Sequence, residues 1–425
     1  MLRPALASLA FLVPAAPLSA GVLVVDPAGG PGVYTQIQAA VDAALDGDVL
    51  LVKSGSYTGF LVNQKSLSIV GDTNAVVTIS GGVRVRSLPA SGMVLLANLS
   101  ASGTPDTGNS SFGLWCSDNQ GFVRVESCSF TGASSVSYTT NGADAWSGAR
   151  VVLSPRVSFS GTDLLGGTGA PGWDPSQGHS GAGLEVESSS VSFHDCLLSG
   201  GDGHDNVYGQ PDASHGGDGC HGLASTLYFS NSAIQGGDGG DGTSVYFVLY
   251  ALGGDAGDGL DLTGSLARIH GTTCFAGQPG TGFPSGGADG LPGLARRGAN
   301  GQYLDLTAPA IPALLPTPAR ESTSPEMQVT GSPGSHVYLL MADAPAFGLA
   351  LNGVGMRLVH GGQPSPMQFL GDVPALGTLI QRIRLPALPP GVQSATSFIQ
   401  VLVETTGGLR VYGPSGTLVV LDSSF

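Results

Sequence analysis

Val191-Ser-Phe-His-Asp-Cys-Leu-Leu-Ser-Gly200 is one of six near-copies of a decad that is apolar at positions one, three and eight, small and polar between, and closed by glycine. The other copies start at Val94, Val123, Val157 and Leu227, and a sixth, one residue longer, runs 267–277. Their closing glycines stand at 103, 132, 166, 200, 236 and 277, so the unit recurs every 29 to 41 residues. A short unit repeated at such a period buries its apolar face only against its neighbours, which means a solenoid or a propeller.

The pattern inside the decad selects the solenoid. Apolar residues at positions one and three (Val123/Val125, Val157/Phe159, Val191/Phe193, Leu227/Phe229) have the two-residue period of a strand, which excludes helical repeats. A polar interruption and a second apolar position (Ala101, Phe130, Leu164, Leu198, Ile234, Phe275) read as a corner and a second strand in the same unit. A four-stranded propeller blade needs more strand than each period offers. The expectation is one turn of a parallel β-helix per unit, with equivalent side chains stacked about 4.8 Å apart. Phe159, Phe193 and Phe229 are predicted to share one buried column. Leu99, Cys128, Thr162, Cys196 and Ser232 are predicted to share a tight corner.

Upstream, residues 34–52 read Tyr-Thr-Gln-Ile-Gln-Ala-Ala-Val-Asp-Ala-Ala-Leu-Asp-Gly-Asp-Val-Leu-Leu-Val, followed by Lys65-Ser-Leu-Ser-Ile-Val-Gly71. Thr35 and Gln38 have capping-box spacing, Ile37, Ala40, Val41 and Ala44 share a helical face, and Gly47 is a stop signal before a strand at 49–52. With the decads, this opening resembles the right-handed parallel β-helix proteins of the pectate-lyase-like superfamily, of the secreted bacterial type, over residues 22–305. The resemblance implies a fold and no single activity, because that superfamily spans lyases, hydrolases, epimerases, adhesins and non-catalytic surface proteins. The expected fold class is all-β: a right-handed parallel β-helix (21–306) with an N-terminal capping helix, a Pro-rich linker (307–325), and a small antiparallel β-sandwich (326–425).

The first 20 residues carry an early arginine, an apolar run and a small-residue exit, the pattern of a signal peptide. A secreted or cell-surface location is expected, with no membrane span in the mature chain. Five cysteines are an odd number, so no disulfide framework follows. A net charge of −15, with 16 Lys+Arg against 31 Asp+Glu, speaks against nucleic acid and against unbridged polyanions as partners. A polysaccharide or cell-surface component is the expected partner.

Four insertions, 168–182, 202–221, 238–258 and 278–297, leave the coil at equivalent places, and Gly-Gly-Asp-Gly-like sequences stand in this region at 200–205, 216–221, 236–241 and 253–258. They resemble the Gly-Gly-x-Gly-x-Asp calcium repeat of bacterial β-rolls, in which glycine permits the turn and Asp supplies hard oxygen ligands. The candidate Ca2+ ligands are Asp202, Asp205, Asp218, Asp238, Asp241, Asp255 and Asp258. Here single copies stand mostly a coil apart instead of back to back. The plainer reading is a stack of Gly-rich, polyproline-II-like segments with glycine every third residue (Gly236, Gly239, Gly242; Gly287, Gly290, Gly293). His204, His215 and His221 are a weaker transition-metal set, lacking a two-histidine spacing on a regular element.

For catalysis, Arg124, Arg150, Arg156 and Arg268 are candidate lyase bases, and Glu185 with Glu187 is the best carboxylate pair for a hydrolase. No compact Asp/Glu set accompanies an arginine on one strand, and no catalytic residue is assigned. The sequence thus favours a non-catalytic extracellular scaffold, glycan-interacting and calcium-stabilised; the alternative is a polysaccharide lyase or glycoside hydrolase.

Overall fold

The computed structural model describes residues 20–105, 111–135, 143–170, 178–206, 212–242, 251–283, 287–307, 310–314, 317–350, 353–360 and 367–425. Among the described residues the chain is all-β apart from the seven-residue helix Ile37–Ala43. Two large all-parallel sheets form a nearly closed wall compatible with a parallel β-helix. One has ten strands. The other has fourteen, its two arms joined through the long strand Val77–Arg86. Each coil contributes one strand to the first sheet and one to each arm of the second, as in Ser190–His194, Leu197–Ser199 and Cys220–Leu223.

The registers follow the decad. Leu50, Ile69, Leu96, Val125, Phe159, Phe193, Phe229 and Ile269 pair in succession through the first sheet. The three phenylalanines are fully buried, their rings stacked with centroids 5.1 and 4.8 Å apart. In the second sheet Ala101, Phe130, Leu164, Leu198, Ile234 and Cys274 form the facing column. Phe275, expected in this column, is displaced by one and is 55 % exposed. The sixth copy has no extra residue in the structure: Ala276 stands where Gly236 stands one coil earlier, and Gly277 corresponds to Gly237, its N–H donating to Gly257 O as that of Gly237 donates to Gly217 O.

Two corners repeat in every coil by the same device. A residue at positive φ turns the chain: Asn98, Ser127, Gly161, Asp195, Asn231 and Gly271 at one corner, Asp118, Leu153, Ser188, Ala224 and Gly264 at the other. The next residue is usually a small polar one whose side chain is shared between coils. Ser232 Oγ donates to Ser230 O (2.9 Å) and accepts from Cys196 N (3.1 Å). At the second corner Ser154, Ser189, Ser225 and Ser265 do likewise, each accepting the amide of its counterpart one coil earlier. All five cysteines are unpaired, and Cys128 and Cys196 lie in the corner column on either side of Thr162.

The helix packs on the first strands through Ile37, Ala40 and Val41. Its N-cap is Gln36, with no side-chain cap bond, so the expected Thr35–Gln38 box is not formed; Gln38 instead accepts the Leu61 amide and Gln36 the Thr58 amide. The helix stops at Ala43, before Gly47, where Lys65 Nζ donates to the carbonyls of Val41, Asp42 and Ala44 at 2.8–2.9 Å. A cation there meets the negative end of the helix dipole.

Beyond the coils lie a five-stranded, a three-stranded and a two-stranded sheet, antiparallel apart from Ala319–Arg320 beside Arg410–Leu421. Their core includes Met327, Val337, Leu339, Val401, Val411 and Leu418. The Pro-rich segment contributes two short strands to these sheets, Ala313–Leu314 and Ala319–Arg320, and Arg320 bonds Asp72 on the coils at 2.7 Å. The C-terminal part lies along the outer face of the ten-stranded sheet: Val419 and Leu421 pack on Val49, Leu51, Val70, Leu95 and Ala97.

Phe193 has a phenyl ring above and below it, so Phe193→Ala opens a cavity that two neighbouring coils border. Urea denaturation is expected to show a loss of about 3–5 kcal/mol; a loss below 1 kcal/mol would mean that the column is not packed as described.

Candidate functional site

The Gly-Asp excursions are built into the wall. Their limbs hydrogen-bond in succession: Gly201 N to Gly181 O, Gly217 N to Gly201 O, Gly237 N to Gly217 O, Gly257 N to Gly237 O, Gly277 N to Gly257 O, all at 2.8–3.0 Å. None of these glycines has a positive φ, so torsion is not what requires glycine. Space is. A methyl group on Gly257 would sit 1.9 Å from Gly217 O, and one on Gly290 1.9 Å from Gly254 O. The three-residue glycine period and the inter-segment bonding fit polyproline-II-like packing.

All seven predicted aspartates accept a backbone N–H from the next coil. Asp202 accepts from Asp238 N (3.0 Å), Asp205 from Asp241 N (2.8 Å), Asp218 from Asp258 N (2.8 Å) and Asp238 from Gln278 N (2.6 Å). Asp241 accepts from Thr281 N (2.7 Å), Asp255 from Leu291 N and Asp258 from Leu294 N (both 2.6 Å). Charge-assisted bonds of this kind are the stronger class. They also arrange the carboxylates in columns along the stack. Among the described residues, one group of three ligand-bearing side chains converges, Asp218, His221 and Asp261, with ligand atoms within 4.8 Å of one another.

The histidines separate accordingly. His204 Nδ1 lies 2.6 Å from Asp205 O, whereas His215 stacks on His179 and accepts Asp255 N–H at Nδ1 (2.9 Å). That acceptor role needs a neutral ring, and burial, aided by His179, holds the His215 pKa down. We therefore read the 3.7 Å approach to the Asp255 carboxylate as a contact of the neutral ring. His221 behaves oppositely: its pairing with Asp218 raises its pKa. The three histidines do not form one site.

His221 belongs to a stripe on the outer face of the second sheet, where the registers align Arg84, Trp115, Arg150, Glu185, His221, Asp261 and Arg297. Charges alternate along it. Arg150 lies 3.6 Å from Glu185, and His221 Nδ1 lies 3.7 Å from Asp218 Oδ2 and 3.6 Å from Asp261 Oδ2. Arg297 closes on Asp258 at 2.7 Å. Burial, then the Asp218 charge, raises the Asp261 pKa. Phe112 meets the Trp146 ring edge-on at 5.0 Å, with Arg150 over its face at 5.6 Å. Glu185 and Glu187 both face Arg150, so the pair is held by a cation. Asp261 was missed in the sequence; aligning Leu260-Asp-Leu with Cys220-His-Gly by the repeat would have found it.

A second polar cluster is buried between the coils and the C-terminal part. Arg124, 3 % exposed, bonds Glu126 Oε1 through Nε and Nη2 (both 3.2 Å) and Ser415 Oγ (2.8 Å). Glu126 accepts from Thr417 N (3.0 Å) and Thr417 Oγ1 (2.8 Å). Beyond this pair, burial, with His270 and Arg124 adding to it, pushes the His194 pKa down to about 3. Tyr228 Oη and His270 Nδ1 lie 3.2 Å apart. Arg124 is thus an interface residue. A cavity of about 300 Å3 adjoins Glu126 and Ser415, lined also by Ser160, Asp195, Gln328 and Thr330 among others. No repeat signal could reveal contacts between residues 291 positions apart.

No family model matches the chain, and no curated protein or solved structure matches it.

The aspartate ladder makes a chemical prediction. Asp238→Asn keeps an Oδ1 acceptor and should lose less than half the stability lost in Asp238→Ala, itself about 1–2 kcal/mol by urea denaturation. Equal losses in calcium-free buffer would contradict the hydrogen-bonding role.

Proposed function

We propose that the protein is a secreted, non-catalytic extracellular or cell-surface scaffold. In this reading the parallel wall is a right-handed β-helix of the pectate-lyase-like type, capped by the helix Ile37–Ala43, and the C-terminal sheets form a β-sandwich clamped along one side. The observation that carries the reading is the common engagement of the seven loop aspartates by the following coil. Carboxylates bound in this way stiffen the excursions into an extension of the wall.

The surface offered to a partner is the stripe from Arg84 to Arg297. Trp115 supplies a partly exposed aromatic ring, and alternating charges supply donors and acceptors, which suits a neutral polysaccharide better than a polyanion. Calcium enters the reading through the Gly-Asp loops, as a cation that relieves repulsion between stacked carboxylates. The stripe also supports the second reading, a carbohydrate lyase or hydrolase, because Arg150 and Glu185 sit 3.6 Å apart on an open parallel face.

Binding to immobilised neutral glycans, without release of reducing ends or unsaturated products and lost in Trp115→Ala, is the expected result. Turnover lost in Glu185→Gln would replace the scaffold reading with the enzymatic one. For calcium, a cation at a hundredfold over its dissociation constant should add about 2.7 kcal/mol to stability. Identical melts in millimolar calcium and in chelator would remove calcium from the reading.

A further inference from the structure

The geometry points to a divalent transition-metal site of the Zn2+ class at Asp218, His221 and Asp261, which shares only Asp218 with the Gly-Asp calcium reading. Two features of the stack bring the ligands together. His221 and Asp261 are outward residues of neighbouring strands in direct register, which sets their backbones about 4.8 Å apart. Asp218 stands three residues before His221, and its Oδ1 is fixed by Asp258 N–H at 2.8 Å, which leaves Oδ2 directed at the imidazole. His221 Nδ1 then faces Asp218 Oδ2 at 3.7 Å and Asp261 Oδ2 at 3.6 Å. Ligands about 2.0 Å from a tetrahedral ion stand about 3.3 Å apart, so a few tenths of an ångström of closure would bring His221 to each carboxylate, and all three ligand atoms already lie within 4.8 Å of one another. A fourth position would face solvent, since the three side chains are 20–43 % exposed.

The next coil shows what this position requires. Asp258 occupies the place of Asp218 there, and the Arg297 guanidinium closes on its Oδ2 at 2.7 Å. One coil earlier the corresponding residues are Ala182 and Glu185, and Glu185 is met by Arg150 at 3.6 Å. The level between them has two carboxylates facing an imidazole and no guanidinium of its own. One imidazole and two carboxylates form a mixed nitrogen and oxygen set, which favours Zn2+ over Ca2+.

Titration calorimetry of the metal-stripped protein with Zn2+ alone, and with Ca2+ in parallel, tests the proposal. One equivalent of Zn2+ is expected to bind, with affinity falling roughly tenfold or more in His221→Gln and in Asp261→Asn. Asp241→Asn, outside the trio, should retain wild-type affinity. The wild-type protein also gives a test free of variants. Bound Co2+ should show the intense visible bands of a four-coordinate ion. No Zn2+ heat up to millimolar concentration, unchanged affinity in His221→Gln, or a Co2+ spectrum like that of the hydrated ion would each overturn the site.

Discussion

Parallel coils stacked in register place every side chain about 4.8 Å from its own counterparts above and below. The structure depends on choosing residues that tolerate that company. Aromatic rings do, and Phe159, Phe193 and Phe229 stack face to face. Hydroxyls at the corners do, because one oxygen can accept from the coil below while donating within its own. Glycines do where carbonyls crowd to within 1.9 Å of a would-be methyl group. Like charges do not, and the chain meets that difficulty in two ways. Along the outer stripe the sign alternates from Arg150 to Glu185 and from Asp261 to Arg297. In the loops successive aspartates do stack, and each carboxylate is compensated by a backbone amide.

The outer face of the ten-stranded sheet is governed by a different constraint, since the C-terminal part covers it. Its character changes along the stack. The first coils present Val49, Leu51, Val70, Leu95 and Ala97 to Val419 and Leu421. The middle coil presents Arg124 and Glu126, whose burial is tolerable because Ser415 and Thr417 complete their bonding. Removing either partner would strand a buried charge, a loss of about 3–5 kcal/mol in comparable pairs. Later coils present His194, Tyr228 and His270. The C-terminal part is thereby registered on the coils by a graded sequence of contacts rather than by one patch.

The coil, its buried columns and the first corner were legible in the decad because in-register stacking converts sequence period directly into spatial column. The slip at Phe275 shows the limit: Ala276 holds the closing position that glycine holds in the other copies, so counting back from Gly277 shifts the column by one residue. The second corner escaped notice because Ser154, Ser189, Ser225 and Ser265 lie outside the decads, two or three residues ahead of Val157, Val191, Leu227 and Ala267. The loop aspartates stand out in the sequence, yet their backbone bonds could not be foreseen from a motif that normally signals metal. Their partners lie 36 or 40 residues away. Asp261 was hidden because it lies in a strand rather than in a glycine motif. The Arg124–Glu126 cluster was unreadable for a simpler reason, since Thr417 reaches it from outside the repeat altogether.

The central claim is that the Gly-Asp excursions belong to the stacked wall and are not loops hung from it. Native-state hydrogen exchange followed residue by residue tests this directly, because exchange reports the opening of individual amide bonds. The amides of Gly201, Gly217, Gly237, Gly257, Asp238 and Asp258 are predicted to exchange as slowly as those of the strand Ser190–His194. Exchange of these six at the rate of unprotected loop amides, while that strand stays protected, would contradict the account.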